Sequence, residues 1–205
     1  MSKYNQQYYF IRSADNDSNP DLTPDTNTED RRFSFEKQPM GSPPLVFFNG
    51  AKEYQQKMGI PSVKIPPEIL FDGTNMLVPS RIRKILLKLD IPHLHMHPAI
   101  YIHDDGKWYE DYWYMAFSER FDCWDRKTSN YEQDDPPIRL GGFELYQIYT
   151  YSLNDELLDA IPLEQRLLFK IGETLDAFIV CHESLSRLFY TNDQSGTKLT
   201  LIPDY

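Results

Sequence analysis

A chain of 205 residues, 40% hydrophobic and 25% charged, has enough apolar material for one self-supporting core, so folding requires neither a disulfide framework nor a structural metal. Its formal charge of -10 would repel a phosphate backbone, which argues against nucleic acid as a ligand and in favour of a basic protein partner. Cys123 and Cys181 stand in no CxxC or CxxH pattern, no apolar run approaches the ~18 residues of a membrane span, and the opening MSKYNQQYYFIRS lacks a signal core, so a cytoplasmic protein with reduced, buried thiols and no membrane partner is expected.

An aromatic share of 14% and 15 prolines predict an α+β domain, a mixed and mainly antiparallel sheet with a few short helices. Residues 4–12, YNQQYYFIR, are β-prone. Over residues 13–44 there are seven acids, three bases and few large apolar side chains, a composition that predicts a flexible acidic loop. Clamping of that loop onto the body through Phe33 and Phe35 is the alternative. Short extended pieces follow, broken by proline and by the turn signal Asp72-Gly73. In PSRIRKILLKLD, Ile82, Ile85, Leu86 and Leu89 fall at i, i+3, i+4 and i+7 behind Pro79, which predicts an amphipathic helix with Arg81, Lys84 and Lys88 on its solvated side.

HLHMHPAIYI and KWYEDYWYMAFSERF flank HDDG, predicting a β-hairpin. On its second strand Trp113, Met115 and Phe117 share one side, and Tyr112 and Tyr114 the other. FELYQIYTYSL, LEQRLLFKIG, LDAFIV and TKLTLIP predict further strands. HESLSRLFY predicts a short helix with Leu185, Leu188 and Phe189 inward.

The chain also echoes itself. ILF (69–71), MLV (76–78), the helix around Ile82, Ile85 and Leu86, and HLHMHP recur in order as LLF (167–169), FIV (178–180), the helix around Leu185, Leu188 and Phe189, and KLTLIP, with offsets growing from 98 to 105. This predicts pseudo-repeated strand-helix-strand units, 66–101 and 164–205, inside a single domain of residues 1–205. Leu94 and Met96 then match Leu199 and Leu201, while His93 and His95 match Lys198 and Thr200, a water-facing position.

His93, His95 and His97 would bind a metal only if all three shared one side of a regular strand or found further ligands nearby. A metal-dependent hydrolase using these three is the enzymatic alternative. No GxSxG, P-loop, GxGxxG, HExxH or zinc-finger spacing occurs, so no catalytic residue, resident metal or cofactor is expected. In CHES, the side chains of Cys181 and His182 diverge and do not form a thiol dyad. Residues 101–135 hold all three tryptophans, Trp108, Trp113 and Trp124, among ten acids and four bases. Aromatic side chains often anchor protein interfaces, and an acidic rim favours a basic partner.

Three stretches, ILFDGTNMLVPSRIRKILLKLDI, YWYMAFSERFDCWDRKTSNY and RLLFKIGETLDAFIVCHESLSRLF, resemble small bacterial immunity proteins of polymorphic-toxin and type VI secretion systems. The likeness covers roughly residues 66–205. It implies a cytoplasmic protein that binds one cognate toxin effector domain and blocks it, with no catalysis of its own. Such families carry no fixed functional residues, because partner surfaces diverge with the toxin. The aromatic and acidic clustering therefore selects the expected contacts: Trp108, Tyr109, Asp111 and Tyr112 as anchors, with Asp104 and Asp105 as steering charges.

Overall fold

A computed structural model of the chain describes residues 2–34 and 36–205. In chain order the strands are β1 (Tyr8–Ser13), β2 (Leu22–Pro24), β3 (Leu45–Asn49), β4 (Leu70–Asp72), β5 (Asn75–Pro79), β6 (Leu94–Ile102), β7 (Trp108–Phe117), β8 (Asn130–Tyr131), β9 (Ile138–Leu140), β10 (Phe143–Leu145), β11 (Ile148–Thr150), β12 (Leu168–Lys170), β13 (Ile179–His182) and β14 (Thr197–Leu201). The helices are short: α1 (Thr26–Glu29), α2 (Lys52–Met58), α3 (Ser80–Leu86), α4 (Asp155–Asp159) and α5 (Ser186–Phe189). The fold is α+β, as composition predicts, and among the described ladders only β3 with β6 is parallel. No described helix is long and apolar enough to cross a membrane.

Two sheets carry the architecture. One has the order β2-β3-β6-β7-β5-β4, the other β12-β13-β1-β14. Four strands of the first, β4-β5-β7-β6, follow the same plan as the whole of the second, with every neighbouring pair antiparallel. In each, a helix follows the second strand: α3 after β5, and a 3-10 turn leading into α5 after β13. The N-terminal β1 fills the place that β7 fills in the first sheet.

The register corrects the sequence match of the two units. Met76, Met115 and Met96 form one cross-strand row, and Ile179, Ile11 and Leu199 form its counterpart. Met76 thus corresponds to Ile179 rather than to Phe178, and Met96 to Leu199 rather than to Leu201. Both β5 and β13 are apolar on both faces, so hydrophobicity alone leaves a one-residue slip open. On β6 and β14 the slip is two residues, which keeps every side chain on its own face.

One face of each sheet contributes to a shared cluster. Met76, Val78 and Met115 meet Ile11, Ile179 and Cys181 there, together with Ile82 and Leu86 of α3 and Leu188 and Phe189 of α5. Ile85, expected within the apolar stripe of α3, is exposed. The opposite face of each sheet has its own cover. Tyr8, Phe10 and Val180 pack with Trp124, Tyr151 and Leu158, while Phe47, Tyr101, Tyr112 and Tyr114 pack with Leu22 and Phe33.

Segment 13–44, whose composition predicts a flexible loop, supplies part of that last cover. It contains β2 and α1, with the Asp25 carboxylate accepting from Thr28 N at 2.8 Å. The Phe33 ring meets Phe47 and Tyr114 edge-on, with centroids 5.6 and 4.9 Å away. Phe35, the other expected clamp, lies outside the described residues. FELYQIYTYSL is two strands rather than one, because β10 folds back on β9 while β11 pairs with β8.

Candidate functional site

The six-stranded sheet is two strands wider than its counterpart, because β2 and β3 have no equivalent beside β14. Its inner face therefore extends beyond the shared cluster. Register pairs Val46 with Ile100, Phe48 with Ile102, and Ile102 with Trp108. Paired residues project to one side, so these five side chains form an apolar corner on β3, β6 and the start of β7. Phe48 is 40% exposed and Trp108 57% exposed, so the corner is open at the surface.

A bulge in β7 determines which aromatics reach it. Ala99 faces Tyr112, yet Tyr101 faces Tyr109, so Glu110 and Asp111 together oppose Ile100. Strict alternation from Tyr114 and Tyr112 would carry Glu110 and Trp108 onto the covered face. The extra residue leaves both acids exposed, turns Tyr109 inward and turns Trp108 outward. Burying the Glu110 carboxylate without a partner would cost more than burying a neutral polar group, several kcal/mol even after relaxation, which supplies a physical reason for the bulge.

The expected contact residues accordingly divide. Trp108, Asp111 and Asp105 are exposed. Asp105 accepts from Lys107 N at 2.9 Å, and that bond holds its carboxyl below the usual range, so it carries charge at neutral pH. Tyr109 is half-buried, its ring 6.3 Å from Tyr101 and beneath the Lys107 ammonium at 4.6 Å. Asp104 is a joint more than a free charge, since Asn49 Nδ2 and Ser62 Oγ donate to it at 3.1 and 3.0 Å.

Tyr112 departs from the expectation of a surface anchor. It is 7% exposed within the covered cluster, its hydroxyl donates to Pro67 O at 2.9 Å, and burial pushes its pKa upward. Val46, Phe48, Ile100 and Ile102 are the corner residues that the clustering of aromatics and acids missed. The consecutive apolar residues of LVFFN and the apolar even-numbered positions of β6 were the available signals. Neither states that a sheet would be left uncovered there.

The histidines of HLHMHP do not converge. His93 precedes β6 with φ +60 and its Nδ1 lies 3.4 Å from Glu119. His95 and His97 pair with Ala116 and Tyr114, which sets them on the covered face and not toward water. Arg31 and Pro43 lie over them: His97 Nε2 is 3.2 Å from Arg31 Nη2 and 2.9 Å from Pro43 O, and burial lowers the His95 pKa. The match with β14 could not reveal this, because the segment that covers β6 lies at residues 31–44, outside the repeated stretches. Among the described residues no three of His, Cys, Asp or Glu are grouped to hold a metal ion.

Both cysteines are free and buried, and burial drives their pKa upward, which keeps them as thiols. Cys181 points into the shared cluster, whereas His182 Nδ1 accepts from Ser184 N at the start of the next turn.

No curated protein matches the chain. The family model does, and it begins at β1, well before the 66–205 stretch of the sequence likeness, because the N-terminal strands are integral to both sheets. That model is the Immunity protein family (Imm11), matched over residues 7–200, and the chain belongs to it.

Proposed function

We propose that this chain is a cytoplasmic immunity protein that neutralises a cognate toxin of a polymorphic-toxin or type VI secretion system by direct contact, without catalysis. Family membership supports the immunity role. The observation that carries the mode of action is the uncovered corner of Phe48, Ile102 and Trp108 beside exposed Asp105, Glu110 and Asp111. A stable inhibitory interface needs about 1,200–2,000 Å² in total, with a few aromatic anchors holding most of the energy. Trp108 is such an anchor, and Tyr109 flanks it. The acids, with the overall charge of -10, favour a basic toxin and speed encounter more than they tighten the complex.

Trp108→Ala tests this. The expected result is a loss of about 2 kcal/mol, roughly 30-fold in Kd, against the toxin domain encoded beside this gene, with protection of toxin-expressing cells weakened in step. Asp111→Lys should slow association and flatten its salt dependence, leaving dissociation nearly unchanged. Unaltered binding and protection in both variants would remove the corner as the contact surface.

A further inference from the structure

A second exposed apolar surface lies on the β9–β10 hairpin. Its register pairs Ile138 with Leu145 and Leu140 with Phe143, so these four side chains occupy one face, while Arg139 and Glu144 pair on the other at 2.9 Å. Gly141 and Gly142 form the two-residue turn with φ of +57 and +87, values that a primed hairpin turn requires at both positions. Ile138, Leu140 and Phe143 are 56%, 67% and 56% exposed, and none belongs to a core cluster. Among the described strands β9 and β10 pair only with each other. A lone two-stranded ribbon is marginal in water, and one that presents a contiguous apolar face marks a contact surface.

Charge indicates what covers it. Glu132, Asp134 and Asp135 lead into the hairpin and are not buried. Glu132 is held in its charged form by the Tyr149 hydroxyl, which donates to it at 2.6 Å. The hairpin's own base, Arg139, is already engaged by Glu144. A second copy of this chain would bring the same acids against these, which disfavours self-association. A basic protein surface complements them.

We infer that residues 138–145 form a second docking element, whose apolar face seats in a groove with a basic rim on the toxin. This inference rests on the immunity reading above and adds a contact on a different sheet from the Trp108 corner.

The test uses the full chain with Leu140→Ser and Phe143→Ser together, measured against the toxin domain encoded beside its gene. The melting temperature should stay within about 2 °C, since both side chains are exposed. Light scattering should show a monomer. Kd should weaken by about 100-fold, mainly through faster dissociation. In the unaltered complex, amide exchange at residues 138–145 should slow relative to the free protein, a readout that does not depend on the variant folding. If the unaltered chain binds and protects while the double variant does so equally and the amides are unchanged, the hairpin is no docking element and the immunity reading stands. A dimer that the double substitution splits would make a second copy the occupant and overturn the inference. Failure of the unaltered chain to bind or protect would remove the immunity reading itself.

Discussion

Lys170 is the residue whose placement is least explained by its local sequence. In LLFKIG it follows three apolar side chains, and in β12 it is only 5% exposed. Its ammonium donates to Asn75 Oδ1 and, at 3.4 Å, to Thr74 Oγ1, tying the edge of the four-stranded sheet to the β4–β5 turn of the other. Burial, then the nearby Arg120 charge, bring its pKa down to about 7, against a smaller upward pull from Asp72. An unfolded lysine titrates near 10.4. Between about pH 7 and 10.4 the unfolded chain therefore binds more protons at this residue, a contribution that raises stability as pH rises through that window. The buried Cys123 and Cys181, whose pKa values burial raises, act in the opposite direction above about pH 8.5, and the buried Tyr101, Tyr112 and Tyr114 do so above about pH 10. Urea midpoints of the unaltered chain should thus increase from about pH 7 to 8, below the range in which the thiols ionise, whereas Lys170→Met should show no rise over the same interval. A parallel rise in both would assign the slope to other groups.

At the level of elements, the sequence conveys alternation well and interruptions poorly. The two faces of β7 are correctly assigned from Tyr112 through Phe117, because Trp113, Met115 and Phe117 pack on the shared cluster and Tyr112 and Tyr114 on the other. The bulge at Glu110 and Asp111 is invisible to a period-two pattern, and it is what reverses Trp108 and Tyr109. The early end of α3 at Leu86 is equally hidden, since the apolar stripe continues to Leu89 although the backbone turns at Asp90 with φ +48. A single glycine shows how tightly such junctions are built. Gly196, at φ +79 before β14, lies where an added methyl would run into Ile69 O and Pro67 Cβ. Ile69 N donates to Ser195 O at 2.9 Å, so this contact joins the approach to β4 with the start of β14. Gly196→Ala combines a disfavoured backbone with a backbone clash and should cost about 2–4 kcal/mol, lowering the melting temperature by roughly 5–15 °C. Gly41→Ala, with open space and φ +84, should cost about 1 kcal/mol. Equal losses at the two sites would contradict the close packing at Gly196.

For the molecule as a whole, the internal echo in the sequence found the strands and helices that correspond, but not the strand that completes the second sheet. β1 is absent from the repeated stretch because it lies at the other end of the chain. Its register makes the correspondence plain: Tyr9 sits opposite Leu201 as Trp113 sits opposite Pro98. In the first sheet the antiparallel pair β6–β7 is joined by residues 103–107, whereas in the second the pair β14–β1 is interrupted by the chain ends. The two sheets thus differ in where the backbone is cut more than in how it packs. A permuted chain beginning at Gly106 and ending at Asp105, with Tyr205 joined to the N-terminus by about eight Gly/Ser residues spanning roughly 15 Å, moves the cut from one pair to the other. Cutting in an exposed turn leaves the clusters intact, so the permutant should unfold in one cooperative transition, within about 2 kcal/mol of the parent. Circular dichroism and urea titration measure this directly. A permutant that cannot fold would mean that continuity through the 103–107 turn, and not the shared strand order, organises the first sheet. The exposed corner depends on that answer, because Trp108 enters β7 immediately after the turn.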